Sequence, residues 1–469
     1  MSHALRFGIR KRVLVVASLV SPLTFPLSTG LAATTVTQIA AGGFHTVFVK
    51  SNGSLWGMGY NAEGQLGLGF GLSQTNLPQL LINSNVSAVA AGENHSLLLE
   101  SNGSLWAMGE NVYGQLGDGT TNNQYFPEQI ISSGVEKVAA GYYHSLFTTA
   151  TGPPVVAFTL WVMGDNGDAE LGDGSVISRG TPEQIQSTDL LADEVTAIAG
   201  GGYHSLYVRE DGSLWATGYN FYGELGDGTN SSQLFYEEIL SSNVTAVAAG
   251  TYHSLFLESD GSLWAMGNNT YGQLGDNSTV DKHSPEQVGT NVMAIAAGYG
   301  HSLFIKSDGS LWAMGWNYYG QLGDGTTTGR PVPVQIVSSN VVAVAAGEIS
   351  SFFIKLDGSL WAMGNNVNGQ LGDGTYIDRH SPVQIVPLVI PQPAITNIRL
   401  AATNLVLSGA NGQSQRTYYT LMSTNLAQPL NQWTPVATNV LSTEGVFTFT
   451  ATNAVVPNAA QGFFRLQVQ

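Results

Sequence analysis

Apolar and polar residues alternate in short runs along most of this chain, and the runs return in a fixed order. In one representative stretch VTAVAAG (residues 244–250), HSLFLES (253–259) and SLWAMG (262–267) follow one another, and a PEQV or PVQI type segment, as at Pro285 or Pro333, closes the unit. Alternation with a period of two over four to eight residues predicts strands, so each unit reads as four short strands. Between the second and third strand stands Asn-Gly or Asp-Gly in six of seven units, as at Asn102 and Asp260. Those dipeptides accept positive φ, which predicts a two-residue type I′ hairpin.

The unit recurs seven times. Its tryptophans are Trp56, Trp106, Trp161, Trp215, Trp264, Trp312 and Trp361, spaced by 50, 55, 54, 49, 48 and 49 residues. A four-stranded unit repeated this regularly is unsuited to a sandwich, whereas radial closure protects the strand edges. The expected fold is all-β: a seven-bladed β-propeller over residues 35–387, with units at about 35–86, 87–135, 136–194, 195–243, 244–291, 292–340 and 341–387. Beyond it a proline-rich linker (388–395) leads to residues 396–469, whose segments NIRLAATNLVLSG, RTYYTLMSTN, QWTPVATNV, GVFTFTATNA and FFRLQVQ predict a small antiparallel β-sandwich-like domain.

Composition narrows the function classes. Charged residues make up 10% of the chain, Gly numbers 57, and there is no cysteine, which removes disulfides, thiol catalysis and Cys-ligated zinc. The net charge of -17 opposes binding to nucleic acid or to an anionic membrane. At the N-terminus Arg6, Arg10, Lys11 and Arg12 precede the apolar run Val13 to Val20, and Gly30-Leu31-Ala32 offers small residues for cleavage. This predicts a secretory signal peptide over residues 1–32, with no membrane span after its removal and a mature chain outside the cytoplasm. Twelve basic and 33 acidic residues would remain, a net of -21.

The glycine-rich GQLGDG at Gly114 raises the question of a phosphate loop. It returns as GQLGLG at Gly64, AELGDG at Ala169, GELGDG at Gly223, GQLGDN at Gly272, and GQLGDG at Gly320 and Gly369. No copy leads into a helix pattern or a GK[ST] motif, so a structural turn is expected, with its leucine plugging the core and its aspartate accepting backbone N–H groups as in an Asx turn. One aspartate per copy falls short of a calcium site. His45, His95, His144, His204, His253 and His301 occupy one repeat position, with Ser350 in the seventh, and are expected as buried structural imidazoles. No cofactor, metal or catalytic constellation is expected.

The sequence of AAGxxHS, DGSLWAMG and NxYGQLGDG at about 50-residue spacing resembles the repeat of the regulator of chromosome condensation family, over about three quarters of the chain. The resemblance implies the seven-bladed propeller independently. It leaves function open, since the family includes nuclear exchange factors for a small GTPase, ubiquitin-ligase components and a secreted bacterial propeller that inhibits β-lactamases by binding them across one face. The segments TYYTLMSTN, QWTPVATN and FFRLQV are similar to a C-terminal module of secreted bacterial proteins.

What varies among the units carries the functional signal. Two series change from blade to blade, one just before the histidine position and one just after the WAMG strand. They nominate Tyr60, Glu93, Glu110, Tyr142, Tyr143, Asp165, Tyr203, Tyr219, Tyr252, Tyr299, Trp316 and Glu348 as partner-binding residues, a set rich in the aromatics that protein or glycan recognition uses. Tyr113, Tyr222, Tyr271 and Tyr319 are candidates for filling gaps between blades. In the third unit TTATGPPVVAFT replaces the tight turn, lengthening His144 to Trp161 to 17 residues against 11 elsewhere, and STDLLADE adds length further on. The expected function is a secreted, monomeric, non-catalytic scaffold that binds a protein partner through one face. GTPase exchange and glycan binding are the alternatives.

Overall fold

The computed structural model describes residues 15–17, 34–150, 158–185, 195–385, 394–401, 404–412, 417–423, 434–440, 445–452 and 462–468. Among them every regular element is a strand, and no helix is long and apolar enough to cross a membrane. The chain divides into two units, Ala33–Pro387 and a second made of Met1–Ala32 with Leu388–Gln469.

The first unit is a seven-bladed propeller. Blade one consists of Val36–Ala41, His45–Lys50, Leu55–Tyr60 and Gln74–Ile82, paired antiparallel in chain order from the inner to the outer strand. The same order holds through blade seven, Val341–Ala346, Ser350–Lys355, Leu360–Gly364 and Arg379–Ile385. Every blade is one contiguous stretch of chain, so the ring closes without strand exchange. The N–H of Val36 donates to the Gly358 carbonyl of blade seven at 3.1 Å, as Val86 does to Gly53 of blade one at 3.0 Å.

The core lies between blades. Leu66 is packed with Val47 and Leu55 of its own blade and Val86, Leu98 and Met108 of the next, and the equivalent leucines from Leu116 to Leu371 are likewise fully buried. In blade seven Leu371 joins Phe48 and Met58 of blade one. The expected inward leucine plug is therefore present in all seven blades. Stacked pairs such as Phe147 over Trp161 (6.0 Å, 3°) brace the second strand against the third.

The hairpin turn differs from the type I′ expectation. Gly53, Gly103, Gly212, Gly261, Gly309 and Gly358 have positive φ, but the Asn or Asp before each does not. The Gly53 N–H donates to the Lys50 carbonyl (2.8 Å), and the Lys50 N–H donates to the Ser54 carbonyl (3.0 Å). This is a three-residue loop, a type I turn followed by a glycine bulge. Asn52 decides it: its Oδ1 accepts the Ser54 N–H at 3.1 Å, holding Asn52 in the right-handed region while glycine alone takes the left-handed one.

In blade three the second and third strands pair from His144–Gly164 out to Ala150–Phe158. The rest of the insertion, residues 151–157, and the segment 186–194 lie outside the described residues, as does most of the expected export signal. Val15–Ala17 pairs in parallel with Gly462–Phe464. In the second unit Ala394–Ala401, Asn404–Gly412 and Gly445–Ala451 form one sheet, and Thr417–Ser423, Thr434–Val440 and Gly462–Val468 belong to another. Ala394–Ala401 begins inside the segment read above as linker, and NIRLAATNLVLSG is a hairpin of two strands.

Candidate functional site

The glycine-rich motif is a turn that clasps the next blade. In GQLGDG, Gly114, Gly117 and Gly119 have φ of 82°, 76° and 81°, which bends the chain back on itself. A Cβ on Gly117 would stand 2.3 Å from Met163 Sδ of the following blade. Asp118 accepts the Thr120 N–H (2.8 Å) and the amides of Asn111 (2.9 Å) and Gln124 (2.7 Å). In blade four Gln233 takes the same place against Asp227 (3.1 Å), and in blades three, five, six and seven the partner on the outer strand is a cation, as in Arg179 with Asp173 (2.5 Å) and Lys282 with Asp276 (3.0 Å). The Asx-turn reading thus holds, and the aspartate is fully engaged.

The glutamine of the motif is buried, and its side-chain oxygen accepts a backbone N–H two residues earlier, as Gln115 does from Tyr113 at 3.0 Å. Blades three and four carry Glu170 and Glu224 instead, both buried and holding the same bond at 2.8 and 3.0 Å. Burial drives both carboxyls up to about 8, so at neutral pH each is an uncharged acid standing in for the amide.

The histidines form a relay around the ring. His45 Nε2 lies 2.8 Å from Ser96 Oγ of the next blade, and Ser96 Oγ donates to the Gln65 carbonyl at 2.8 Å. Since the hydroxyl proton goes to the carbonyl, the imidazole donates from Nε2. The pattern repeats at His95, His144, His204, His253 and His301. Burial holds the imidazoles near pKa 3, and His301 near 4. Each contacts a different blade, which makes them inter-blade fasteners.

The two variable series share one face, because a backbone hydrogen bond joins them within every blade. Tyr60 N–H donates to the Phe44 carbonyl (2.8 Å), Asp165 to Tyr143 (2.8 Å), Tyr219 to Tyr203 (2.9 Å) and Trp316 to Gly300 (2.7 Å). At the centre seven inter-blade bonds circle the channel: Gly43 to Glu93, Glu93 to Tyr142, Tyr142 to Gly201, Gly202 to Gly250, Thr251 to Gly298, Tyr299 to Glu348, and Glu348 to Gly42, at 3.0–3.3 Å. They enclose a cavity of about 110 Å³.

Aromatic rings cover the face from blade two to blade six in an unbroken chain of contacts. Tyr113 meets Tyr143 (5.2 Å), Tyr142 meets Tyr203 (5.9 Å), Tyr203 stacks on Tyr252 (5.4 Å), Tyr252 meets Tyr299 (6.5 Å), and Tyr299 meets Trp316 (5.6 Å). Tyr219 touches both Tyr203 and Tyr252. The recurrent tyrosines do fill gaps between blades, Tyr222 against Tyr252 and Tyr271 against Trp316, yet Tyr113 and Tyr271 are still 41% and 39% exposed. They are wall and surface at once.

The remaining nominated residues, Asp165 aside, form an acidic sector. Glu110 sits by Asn94 and raises the Tyr60 hydroxyl's pKa together with Glu63, after burial. Glu93 and Glu348 converge from blades two and seven over Gly43, where a Cβ would meet Glu93 Cγ at 3.0 Å and Glu348 Oε2 at 3.4 Å. Burial, then the charge of Glu93, pushes the Glu348 carboxyl up to about 7. Asp165 stands apart beside Asp168, whose pKa burial and Asp165 both raise. Sequence reasoning passed over Glu63 and Asp168, which lie inside the repeated turn; their signal is that they carry charge at the position two residues before the motif's glutamine or glutamate, where other blades place Tyr or Asn.

Known proteins match this architecture. A family model described as RCC1-like domain covers residues 160–407, and two models of the RCC1 repeat cover residues 52–99 and 102–148, and 36–65 and 86–115. The chain belongs to the RCC1-like domain family. Its propeller is similar to the crystal structure of human WBSCR16 (22% identity, 74% of this chain and 96% of that one, TM-score 0.62) and to Prp20p of Saccharomyces cerevisiae (21%, 78% and 90%, TM-score 0.63). Among curated relatives, the mitochondrial RCC1 domain-containing protein RUG3 of Arabidopsis thaliana is 35% identical over 74 residues, which span 16% of the length of each chain. The RCC1-like ring is thus shared, while the aromatic and acidic pattern on its face is described only by this chain's own geometry.

Proposed function

We propose that this RCC1-like propeller is a secreted, non-catalytic scaffold that docks a protein partner on the aromatic face. The observation that carries the reading is the unbroken run of rings, each at least partly buried in the face, from Tyr113 to Trp316 on a frame tied by seven throat hydrogen bonds. Rigid aromatics give large contact area at small entropic cost, and such residues supply the few anchors that dominate protein interfaces. In the repeat machinery the histidine Nε2 atoms, the motif aspartates and the glutamine side-chain oxygens are taken up by contacts within and between blades. Export belongs to the reading because the basic and apolar N-terminal segment has the layout of a secretory signal. The solved structure of Prp20p is described by its binding to Gsp1p and histones, which are protein partners of that relative.

The test is capture on the immobilised mature chain from medium conditioned by the organism that makes it, with the Tyr252→Ala, Trp316→Ala double variant as control. A protein retained by the wild type and lost at least ten-fold by the variant supports docking on this face. Retention of glycans without protein, or of a GTPase whose nucleotide release accelerates, would replace the reading with one of the two alternatives.

A further inference from the structure

We propose that the mouth of the central channel receives a basic side chain, a guanidinium or ammonium group, projected by the docked protein. The inference rests on the docking reading and names the partner's chemistry. Glu93 and Glu348 pack over Gly43 so closely that a Cβ there would meet the Glu93 carbonyl at 2.9 Å, and both line the central cavity beside Tyr142, Thr251 and Tyr299. Glu348 Oε2 is buried and accepts no hydrogen bond among the described residues. A buried carboxylate oxygen without a donor is costly, and a cation arriving with the partner would relieve it.

The surroundings select an organic cation. Tyr142 and Tyr299 stand close enough to Glu348 for its charge to raise both their hydroxyl pKa values, after the larger effect of burial. The Tyr142 hydroxyl lies 2.5 Å from Thr251 Oγ1, which ties blades three and five across the mouth. Ring faces beside carboxylates hold a guanidinium by stacking and charge together. A hard metal ion would want six or more oxygens, and among the described residues no group of three or more His, Asp or Glu is placed to hold a metal. Among the described residues, Arg179, Lys282, Arg330 and Arg379, at the starts of outer strands, are each paired with the motif aspartate of their own blade, and Lys50, Lys306 and Lys355 lie over Trp56, Trp312 and Trp361.

The experiment titrates the mature chain calorimetrically with a pentaglycine peptide carrying arginine at its centre, and with the same peptide carrying citrulline, the uncharged isostere. The arginine peptide should bind saturably, the citrulline peptide at least ten-fold more weakly, and Glu93→Gln with Glu348→Gln should lose at least ten-fold in affinity for arginine while remaining cooperatively folded at the titration temperature. Absence of saturable arginine binding, equal binding of both peptides, or an indifferent double variant would overturn the inference. If the carboxamide variant still captures the medium protein that Tyr252→Ala with Trp316→Ala loses, docking stands and the basic side chain falls.

Discussion

His45 Nε2 lies 2.8 Å from Ser96 Oγ in the neighbouring blade, and five further imidazoles repeat that bond around the ring. Such a histidine is neutral when folded, with a pKa near 3 to 4, and protonates near 6.5 when unfolded. Its contribution is therefore present above pH 6.5 and is lost as pH falls towards the folded value. Glu170, Glu224 and Glu348 act oppositely: their folded pKa values of about 8, 8 and 7 exceed the unfolded value, so their contribution is present below pH 4.5 and fades as pH rises to 8. Between pH 4.5 and 6.5 six imidazoles oppose three carboxyls, leaving unfolding to take up about three protons, or about 4 kcal/mol of stability per pH unit. Above pH 6.5 only the carboxyls count, and stability declines. Denaturant unfolding from pH 4 to 9 should give a maximum near pH 6.5 with a steeper acid arm. A plateau extending down to pH 5 would contradict the relay.

Glu170 and Glu224 should be better replaced by what the other blades carry. Glutamine keeps the loop bond to the N–H of Asp168 or Tyr222 and has no proton to lose. In the wild type each acid is neutral when folded and ionised when unfolded between pH 4.5 and 8, so each costs stability progressively over that range, whereas glutamine does not. The advantage of the Glu170→Gln, Glu224→Gln double variant should therefore grow by about 5 kcal/mol from pH 6 to pH 9, about two pH units for each group. A gain of equal size at both pH values would show that ionisation is not its source.

The ring was legible in the sequence because each blade solves the same packing problem with the same residues: the leucine plug, the motif glycines and the Asx aspartate all stand where their repetition placed them. The hairpin type was not, since Asn-Gly suits both a two-residue turn and a glycine bulge, and only the Asn52 bond to Ser54 separates them. Glu93 and Glu348 were visible as variable residues, but their meeting over Gly43 depends on ring closure, which joins opposite ends of the repeat array. The neutral state of Glu170 follows from burial, which the letter Glu conceals.

Ser350 marks the one junction without an imidazole, and the residue of the next blade at the position of the relay serines is Thr46, the one such hydroxyl that is not a serine. Thr46 Oγ1 still donates to the Gln370 carbonyl at 3.0 Å, and the throat bond from Glu348 to Gly42 is the longest of the seven at 3.3 Å. Ser350→His should add the missing bond, worth about 1 kcal/mol, because Gly347 leaves the same space that Gly298 leaves for His301. Thermal unfolding should rise, and a double-mutant cycle with Thr46→Val should show coupling. Additive effects would mean that the new imidazole does not reach Thr46.

Ala169 holds φ of 66° where five of the other six blades keep a glycine of the same motif at φ between 77° and 89° and blade one at 91°. A non-glycine residue in this region is strained, by about 1 kcal/mol. Ala169→Gly should relieve that strain and offset the added chain entropy, leaving stability unchanged or raised by up to about 1 kcal/mol, whereas Gly320→Ala should cost more than 1 kcal/mol, its Cβ also meeting His380 Cα at 2.5 Å. Equal and opposite effects at the two sites would mean that backbone strain alone sets both.

The affinity for the basic group should itself depend on pH through Glu348. Its carboxyl, raised to about 7 by burial and then by Glu93, also faces Tyr142 and Tyr299, whose hydroxyls are held above their usual range. Below pH 7 Glu348 is mostly protonated; above pH 7 it adds a negative charge to the mouth, and a cation is held more strongly. Binding of the arginine peptide should therefore strengthen by up to about ten-fold from pH 6 to pH 8, the span set by one carboxyl titrating between those values. Glu348→Gln should flatten the profile at the weaker limit, while Glu110→Gln, outside the mouth, should leave its slope intact. A wild-type profile as flat as that of Glu348→Gln would remove Glu348 from the site.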